Sequence, residues 1–285
     1  MNRRLRKGTI LVAPGVYDPL SALIAEQAGA EAVFVSGAMV AMTQLASPDF
    51  GLGSSTELVD LVARICDRVH APVLVDGDQG FGNAAHVQRF VRGLCRAGAA
   101  AVQIEDQICV KPASDLRARP LISCGEMVGK LKAAQDARTS DAILISARTD
   151  AFSSTGLDDA LDRAEAYIAA GCDLMFFEGV TSHEQVAAIM ARFGDAVPLV
   201  HNLLEGGGTP FADATAAGAA GFALGLFPAT GLGAAAAGLK AAYRAIVADG
   251  SSVRLADDLV DIGGLNALVG TVDIAARIAA YGAEA

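Results

Sequence analysis

Short apolar runs alternate with longer amphipathic stretches along this chain from end to end. The runs fall at residues 10–13, 32–35, 73–75, 101–104, 142–145, 174–177, 199–200 and 221–224. They are continuous rather than alternating in polarity, which suits strands covered on both faces, as in a parallel sheet. The stretches between them carry helical spacing. Four Gly-centred triplets, Ala28-Gly29-Ala30, Ala97-Gly98-Ala99, Ala170-Gly171-Cys172 and Ala217-Gly218-Ala219, stand just before a run. A glycine there ends a helix in the left-handed conformation that other residues resist. Eight such units in one chain predict a (β/α)8 TIM barrel, with a doubly wound open sheet as the rival. The expected barrel covers about residues 8–247 of a single domain, with extra C-terminal helices at about 253–283.

Bulk properties narrow the function. The chain has 285 residues, 53% hydrophobic and 19% charged, with a net charge of −10. Such a surface repels nucleic acid and anionic lipid, so neither is an expected partner. The charge-free stretch 214–239 holds six glycines and Pro228, and it reads as a strand and a helix of the barrel rather than a membrane span. The basic N-terminus is followed by only a short apolar run and does not read as a signal peptide. Five cysteines without CxxC spacing argue against a disulfide framework or zinc cluster. A cytoplasmic location follows from these readings.

The candidate chemistry sits where the runs end. Successive runs terminate in Ser36-Gly37, Asp76-Gly77-Asp78, Glu105-Asp106, Ser146-Ala147-Arg148, Glu178 and His201-Asn202. In a barrel these ends converge on one mouth. Asp76, Asp78 and Glu105 are hard oxygen donors that would repel one another without a cation, so they are the candidate site for Mg²⁺, with Mn²⁺ also possible. Asp78 can alternatively cap the helix that starts near Asn83. Arg148 suits a substrate carboxylate, or else orients the metal-binding acids. The start of the helix at Ser36-Gly37-Ala38 can bind a carboxylate oxygen. The stretch from Glu205 to Pro210 reads either as a phosphate cradle or as a loop closing the mouth. His86 and His183 read as surface residues, and His70 lies at a helix end where it favours the dipole; His201 lies nearer the mouth and can be either surface or catalytic.

These segments resemble the isocitrate lyase/phosphoenolpyruvate mutase superfamily. The matching pieces are Pro14-Gly15-Val16-Tyr17-Asp18, Ser36-Gly37-Ala38, the 47–52 segment around Asp49, the 75–83 segment, Ile104-Glu105-Asp106-Gln107, Ala147-Arg148-Thr149-Asp150-Ala151 and the 202–210 segment. The resemblance implies that Asp76 holds Mg²⁺ directly and that Asp78 and Glu105 hold its waters. It implies that Ser36, Gly37 and Ala38 hold a substrate carboxylate, that Arg148 clamps substrate, and that Asp49 and Lys111 reach the site on mobile segments. Tyr17, Glu178, Asn202, Glu205 and Thr209 would complete the pocket. It also implies a homotetramer in which the eighth barrel helix, about residues 229–242, is exchanged between subunits.

The departures from the family pattern matter as much. Gly77, Gln79 and Phe81 replace the usual Ala, Thr and Tyr. The isocitrate and methylisocitrate lyases carry a Lys-Lys/Arg-Cys-Gly-His loop, whereas this chain reads Val110-Lys111-Pro112-Ala113-Ser114-Asp115-Leu116. The expected activity is therefore cleavage of a C–C bond, by retro-aldol chemistry or decarboxylation, in a small 2-oxo or 2-hydroxy carboxylate such as an oxaloacetate- or methylisocitrate-like acid. C–P chemistry of the phosphonomutase or phosphonopyruvate hydrolase type is the alternative, and a non-catalytic carboxylate-binding barrel the second. The segment from Lys111 to Arg119 is expected to act as a lid.

Overall fold

The computed structural model describes residues 5, 9–108, 120–139 and 143–282. Its strands are β1 (Leu11–Val16), β2 (Val33–Val35), β3 (Val73–Asp76), β4 (Ala101–Glu105), β5 (Leu144–Thr149), β6 (Leu174–Phe177), β7 (Leu199–Asn202) and β8 (Leu224–Phe227). All pair in parallel in sequence order, and β1 closes on β8 with Leu11 opposite Leu224 and Pro14 opposite Phe227. The result is a closed eight-stranded parallel barrel, and the open-sheet rival falls away.

The helices of the barrel unit are α1 (Pro19–Gln27), α2 (Gly37–Leu45), α3 (Ser55–Cys66), α4 (Ala84–Ala97), α5 (Cys124–Ala137), α6 (Ala151–Ser154), α7 (Leu157–Ala169), α8 (His183–Phe193) and α9 (Ala214–Ala219). Their starts are written locally. Asp18, Ser54 and Ser182 each build a capping box with the residue three positions on, which satisfies backbone N–H groups that a helix leaves unpaired. Three of the predicted helix-ending glycines, Gly29, Gly98 and Gly171, have φ between +90° and +94°. The fourth prediction is corrected. Gly218 lies within α9, and Gly221, with φ +110°, makes the turn. That displacement also moves β8, which starts at the last residue of the run predicted at 221–224.

Two sets of buried side chains hold the barrel. Residues such as Val75, Val102, Ile145 and Phe177 pack outward beneath the helices. Leu11, Leu74, Leu144, Leu174, Phe176 and Leu224 fill the interior. Such an interior is a packed core, so ligands are confined to its ends.

The chain divides into two compact units, residues 1–232 and 233–285. The division falls inside α10 (Thr230–Asp249). The second unit continues with a 3₁₀ turn at Val253–Asp258, α11 (Ile262–Leu268) and α12 (Thr271–Tyr281). Its stretch from Val253 to Tyr281 is apolar and exposed. It is broken into pieces of 6, 7 and 11 residues, each well short of the ~20 helical residues that cross a bilayer. The charge-free stretch at 214–239 likewise resolves into α9, β8 and the start of α10.

Candidate active site

The C-terminal ends of the strands enclose a cavity of about 160 Å³ lined by Phe34, Ser36, Ala38, Met39, Asp49, Asp76, Asp78, Glu105, Gln107, Arg148, Phe176, Glu178, Asn202, Leu204, Leu226 and Pro228. The strand-end residues read from the sequence thus converge. Tyr17, Gly37, Glu205 and Thr209 do not line this cavity. Tyr17 follows β1, where its N–H donates to the Ser21 hydroxyl. Glu205 is exposed and accepts from Thr230. Thr209 lies in an adjoining small cavity with Glu178, His201 and Asn202. Lys111 and the rest of the expected lid lie outside the described residues.

The carboxylates are held by short-range geometry. Asp76 ends β3, and its Oδ2 accepts from the Gly37 N–H at 3.3 Å. A Cβ on Gly37 would stand 3.2 Å from Asp78 Oδ1 and 3.4 Å from Asp76 Oδ2. Glycine here lets the start of α2 close in on both acids, so this N–H serves the aspartate rather than standing free for substrate. Ser36, the residue before α2, makes no side-chain capping bond among the described residues and lines the cavity.

Asp78 sits in a turn with φ +46°, followed by Gly80 at +80°, Phe81 at +59° and Gly82 at +144°. Left-handed backbone at non-glycine positions costs on the order of 1 kcal/mol each and clusters at functional sites. Asn83 caps α4 itself, so the capping alternative for Asp78 falls away. Beneath this turn the ammonium of Lys130, only 3% exposed, donates to the Gln79 carbonyl at 3.1 Å. Sequence reading missed Lys130 because it lies on α5, far along the chain.

Arg148 is the charged hub. Its Nε and Nη2 both donate to the Asp150 carboxylate at 3.0 Å. Nε also lies 3.2 Å from Glu105, and Nη2 3.5 Å from Glu178. The guanidinium packs over the Phe176 ring at 5.2 Å. So many protein carboxylates on one cation favour the orienting role left open by the sequence, and any substrate contact comes in addition to it. Burial pushes the Glu105 carboxyl well above its ordinary range, against the opposing pull of Arg148. Burial also raises Asp76, with Arg148 lowering it and Asp49 raising it further. A divalent cation offsets penalties of this kind.

The donor set fits such a cation. Asp76 Oδ1 is buried with no hydrogen-bond partner among the described residues. Among those residues no three His, Cys, Asp or Glu groups are close enough to hold one ion together. Mg²⁺ typically takes one or two carboxylates directly and water at its other positions, so a triad of direct ligands is not required.

Behind the mouth, Asp106 is fully buried. It accepts from Thr149 Oγ1 at 2.8 Å, the Asp150 N–H at 3.0 Å, Tyr167 at 2.8 Å and Arg163 at 3.3 Å. Arg163 also donates to the Ile122 carbonyl at 3.0 Å. This network locks the Arg148–Asp150 segment, and it was not visible as such in the sequence. His201 lies near the end of β7, close to the mouth as expected, and is buried. Its Nε2 lies 2.7 Å from Thr209 Oγ1, and its ring packs on Phe211 and Phe222. His86 and His183 are exposed, as expected, with the His183 ring beside Phe211, and His70 is exposed as well.

The family described as phosphoenolpyruvate phosphomutase matches residues 2–247. A 2-methylisocitrate lyase of Aeropyrum pernix is 41% identical over 255 residues, 90% of this chain and 81% of that protein. An oxaloacetate decarboxylase of a Bradyrhizobium species is 44% identical over 191 residues, 66% of each chain. The crystal structure of a 2,3-dimethylmalate lyase superposes with a TM-score of 0.91 at 30% identity, covering 99% of this chain and 93% of the other. A phosphonopyruvate hydrolase crystallised with oxalate and Mg²⁺ gives a TM-score of 0.86 at 26% identity, covering 96% and 95%.

Proposed function

The chain belongs to the phosphoenolpyruvate mutase/isocitrate lyase superfamily, and on that premise we propose that it is a Mg²⁺-dependent lyase that cleaves a C–C bond in a small 2-oxo or 2-hydroxy carboxylate, with decarboxylation of an oxaloacetate-like acid as the leading reaction. The observation that carries this reading is the buried Asp76 Oδ1, without a hydrogen-bond partner among the described residues and set beside Asp78 and Glu105 in a cavity sized for a small acid.

Asp76 would bind the ion, and Asp78 and Glu105 its waters. When bound, Mg²⁺ polarises a 2-oxo group and stabilises the negative charge that develops there as the adjacent C–C bond breaks. The protein's own residues do the rest. The Ser36 hydroxyl and the Ala38 N–H, at the start of α2, would hold the 1-carboxylate. Arg148, with Glu178 against it, keeps the mouth rigid and is a catalytic candidate together with Asp49 and Lys111. Asn202 also lines the cavity, while Tyr17, Gly37, Glu205 and Thr209 would act from its margin. Loss of CO₂ from an oxaloacetate-like acid leaves a pyruvate enolate, which a water molecule can protonate. It therefore needs no acid in the 110–116 loop, where this chain has Pro112, Ala113 and Ser114. Cleavage of methylisocitrate, in contrast, uses the loop Cys that this chain lacks.

Phosphonate chemistry is the second reading. The Arg117-Ala118-Arg119-Pro120-Leu121 stretch, similar to the mutases, favours it. The assay is a panel of oxaloacetate, 2-methylisocitrate, 2,3-dimethylmalate and phosphonopyruvate, with Mg²⁺ and with EDTA, on the native protein and on Asp76→Ala. The expected result is EDTA-sensitive release of pyruvate from oxaloacetate, abolished in a folded Asp76→Ala. Phosphate release from phosphonopyruvate alone would establish the second reading. Metal-independent binding without turnover of any acid would mark a carboxylate-binding barrel.

We also propose a cytoplasmic homotetramer with exchange of α10. The barrel unit has a wide apolar groove of about 910 Å³ along β1, α1 and β8, lined by Ile10, Val12, Ala25 and Phe227. In the second unit Leu239, Tyr243, Ile246 and Val247 of α10 are exposed. Apolar surface of this extent marks association.

A further inference from the structure

Most of the barrel interior is apolar, but one sector is not. Asp76, Gln103 and Ser146 stand in register on three adjacent strands, with Asp76 opposite Gln103 and Gln103 opposite Ser146. Side chains alternate between the two faces of a strand. Gln103 lies two residues before Glu105, and Ser146 two before Arg148. Since Glu105 and Arg148 line the mouth, Gln103 and Ser146 point inward one layer below it. Both are 0% exposed. Four polar atoms of this sector are buried without a hydrogen-bond partner among the described residues: Asp76 Oδ1, both ends of the Gln103 amide and Ser146 Oγ. Burying an amide and a hydroxyl this way destabilises the fold, and replacing them by apolar groups of similar shape is nearly neutral or better. Packing alone therefore gives no reason for Gln and Ser at these positions, where neighbouring layers carry Leu and Ala.

We propose that Gln103 and Ser146 form a water-binding shelf under the active site, which presents ordered water to Asp76 and fixes that carboxylate for the cation. Buried water typically makes about three hydrogen bonds to polar groups that otherwise lack partners. The Gln103 amide offers donors and an acceptor, the Ser146 hydroxyl one of each, and Asp76 Oδ1 an acceptor. Gln103 is a positioning residue, acting through Asp76 on a ligand it does not touch. Hydrogen bonds behind a metal ligand set its orientation and basicity. The inference rests on the metal reading of Asp76.

The test uses Gln103→Met and Ser146→Ala, with Asp76→Ala as the benchmark. Mn²⁺ binding is followed by the electron paramagnetic resonance signal of the free ion, and thermal melts are run in EDTA. Gln103→Met should weaken Mn²⁺ binding about tenfold or more, while its melting temperature in EDTA holds or rises. Ser146→Ala should shift both in the same directions by less. Unchanged Mn²⁺ binding in both variants overturns the shelf, and so does a Gln103→Met protein that melts lower with its binding intact. If Asp76→Ala binds Mn²⁺ as the native protein does, the metal reading is wrong and the shelf falls with it. If Gln103→Met does not fold, Ser146→Ala, which removes a single atom, decides the question.

Discussion

His201 should make this protein acid-sensitive over a defined range. Burial holds its imidazole at a pKa of about 4, against about 6.5 in an unfolded chain. Between these values the unfolded state binds a proton that the native state refuses. Stability is therefore fully present above about pH 6.5 and is lost as pH falls toward 4. Worked from those two values, the loss at pH 5 relative to pH 7.5 is about 2 kcal/mol from this one residue. The structural reason is that the ring sits among Phe211 and Phe222, with Nε2 against Thr209 and Nδ1 buried without a partner among the described residues. A proton on Nδ1 would create a charge in an apolar pocket. Urea melts of the native protein and His201→Gln at pH 7.5 and pH 5.0 measure it. Other groups titrate in both proteins alike, so the quantity of interest is the difference of differences. The native protein should lose about 2 kcal/mol more than the variant. If the two stabilities fall in parallel, His201 is not the titrating group, or its pocket admits water.

Two further predictions concern the surroundings of the site. Asp106→Asn removes a charge that accepts from Thr149, Asp150, Tyr167 and Arg163. It should lower stability by on the order of 3 kcal/mol in denaturant melts, and turnover should fall even under conditions where the variant is folded. Lys111→Ala should cut turnover strongly, whereas Ser114→Ala should change it little, because a hydroxyl is a poor proton donor at neutral pH. A large loss from Ser114→Ala would show that this loop carries acid chemistry, and a lyase with a substituted proton donor would return.

Much of the architecture was legible in the chain itself, because the relevant physics is local. A strand buried on both faces is a continuous apolar run, a helix end is a glycine with left-handed backbone, and both are decided within a few residues. That is why seven of the eight strands fall on or extend the predicted runs, and why three of the four glycine turns do too. The fourth slipped to Gly221 because the Ala-Gly repeat at 217–221 offers two glycines, and only chain geometry selects one. The gathering of Ser36, Asp76, Asp78, Glu105, Arg148, Glu178 and Asn202 at one mouth was legible for a related reason. They stand at the ends of six strands, Asp76 and Asp78 sharing β3, and a parallel barrel brings all such ends together.

What the chain did not disclose is which groups meet. Arg148 was readable as a cation at a strand end, and Asp150 is its neighbour in sequence, but its partners Glu105 and Glu178 follow from the register of β4, β5 and β6. Asp106 looked like one more strand-end acid until α7 brought Arg163 and Tyr167 to it. Lys130 under the 77–83 turn, the burial of His201, and the alignment of Asp76, Gln103 and Ser146 in one layer are likewise tertiary facts. The local pattern determines which way a side chain faces. Its neighbours are set by strand register and by barrel closure, which join residues tens to hundreds of positions apart, and only the folded chain decides those.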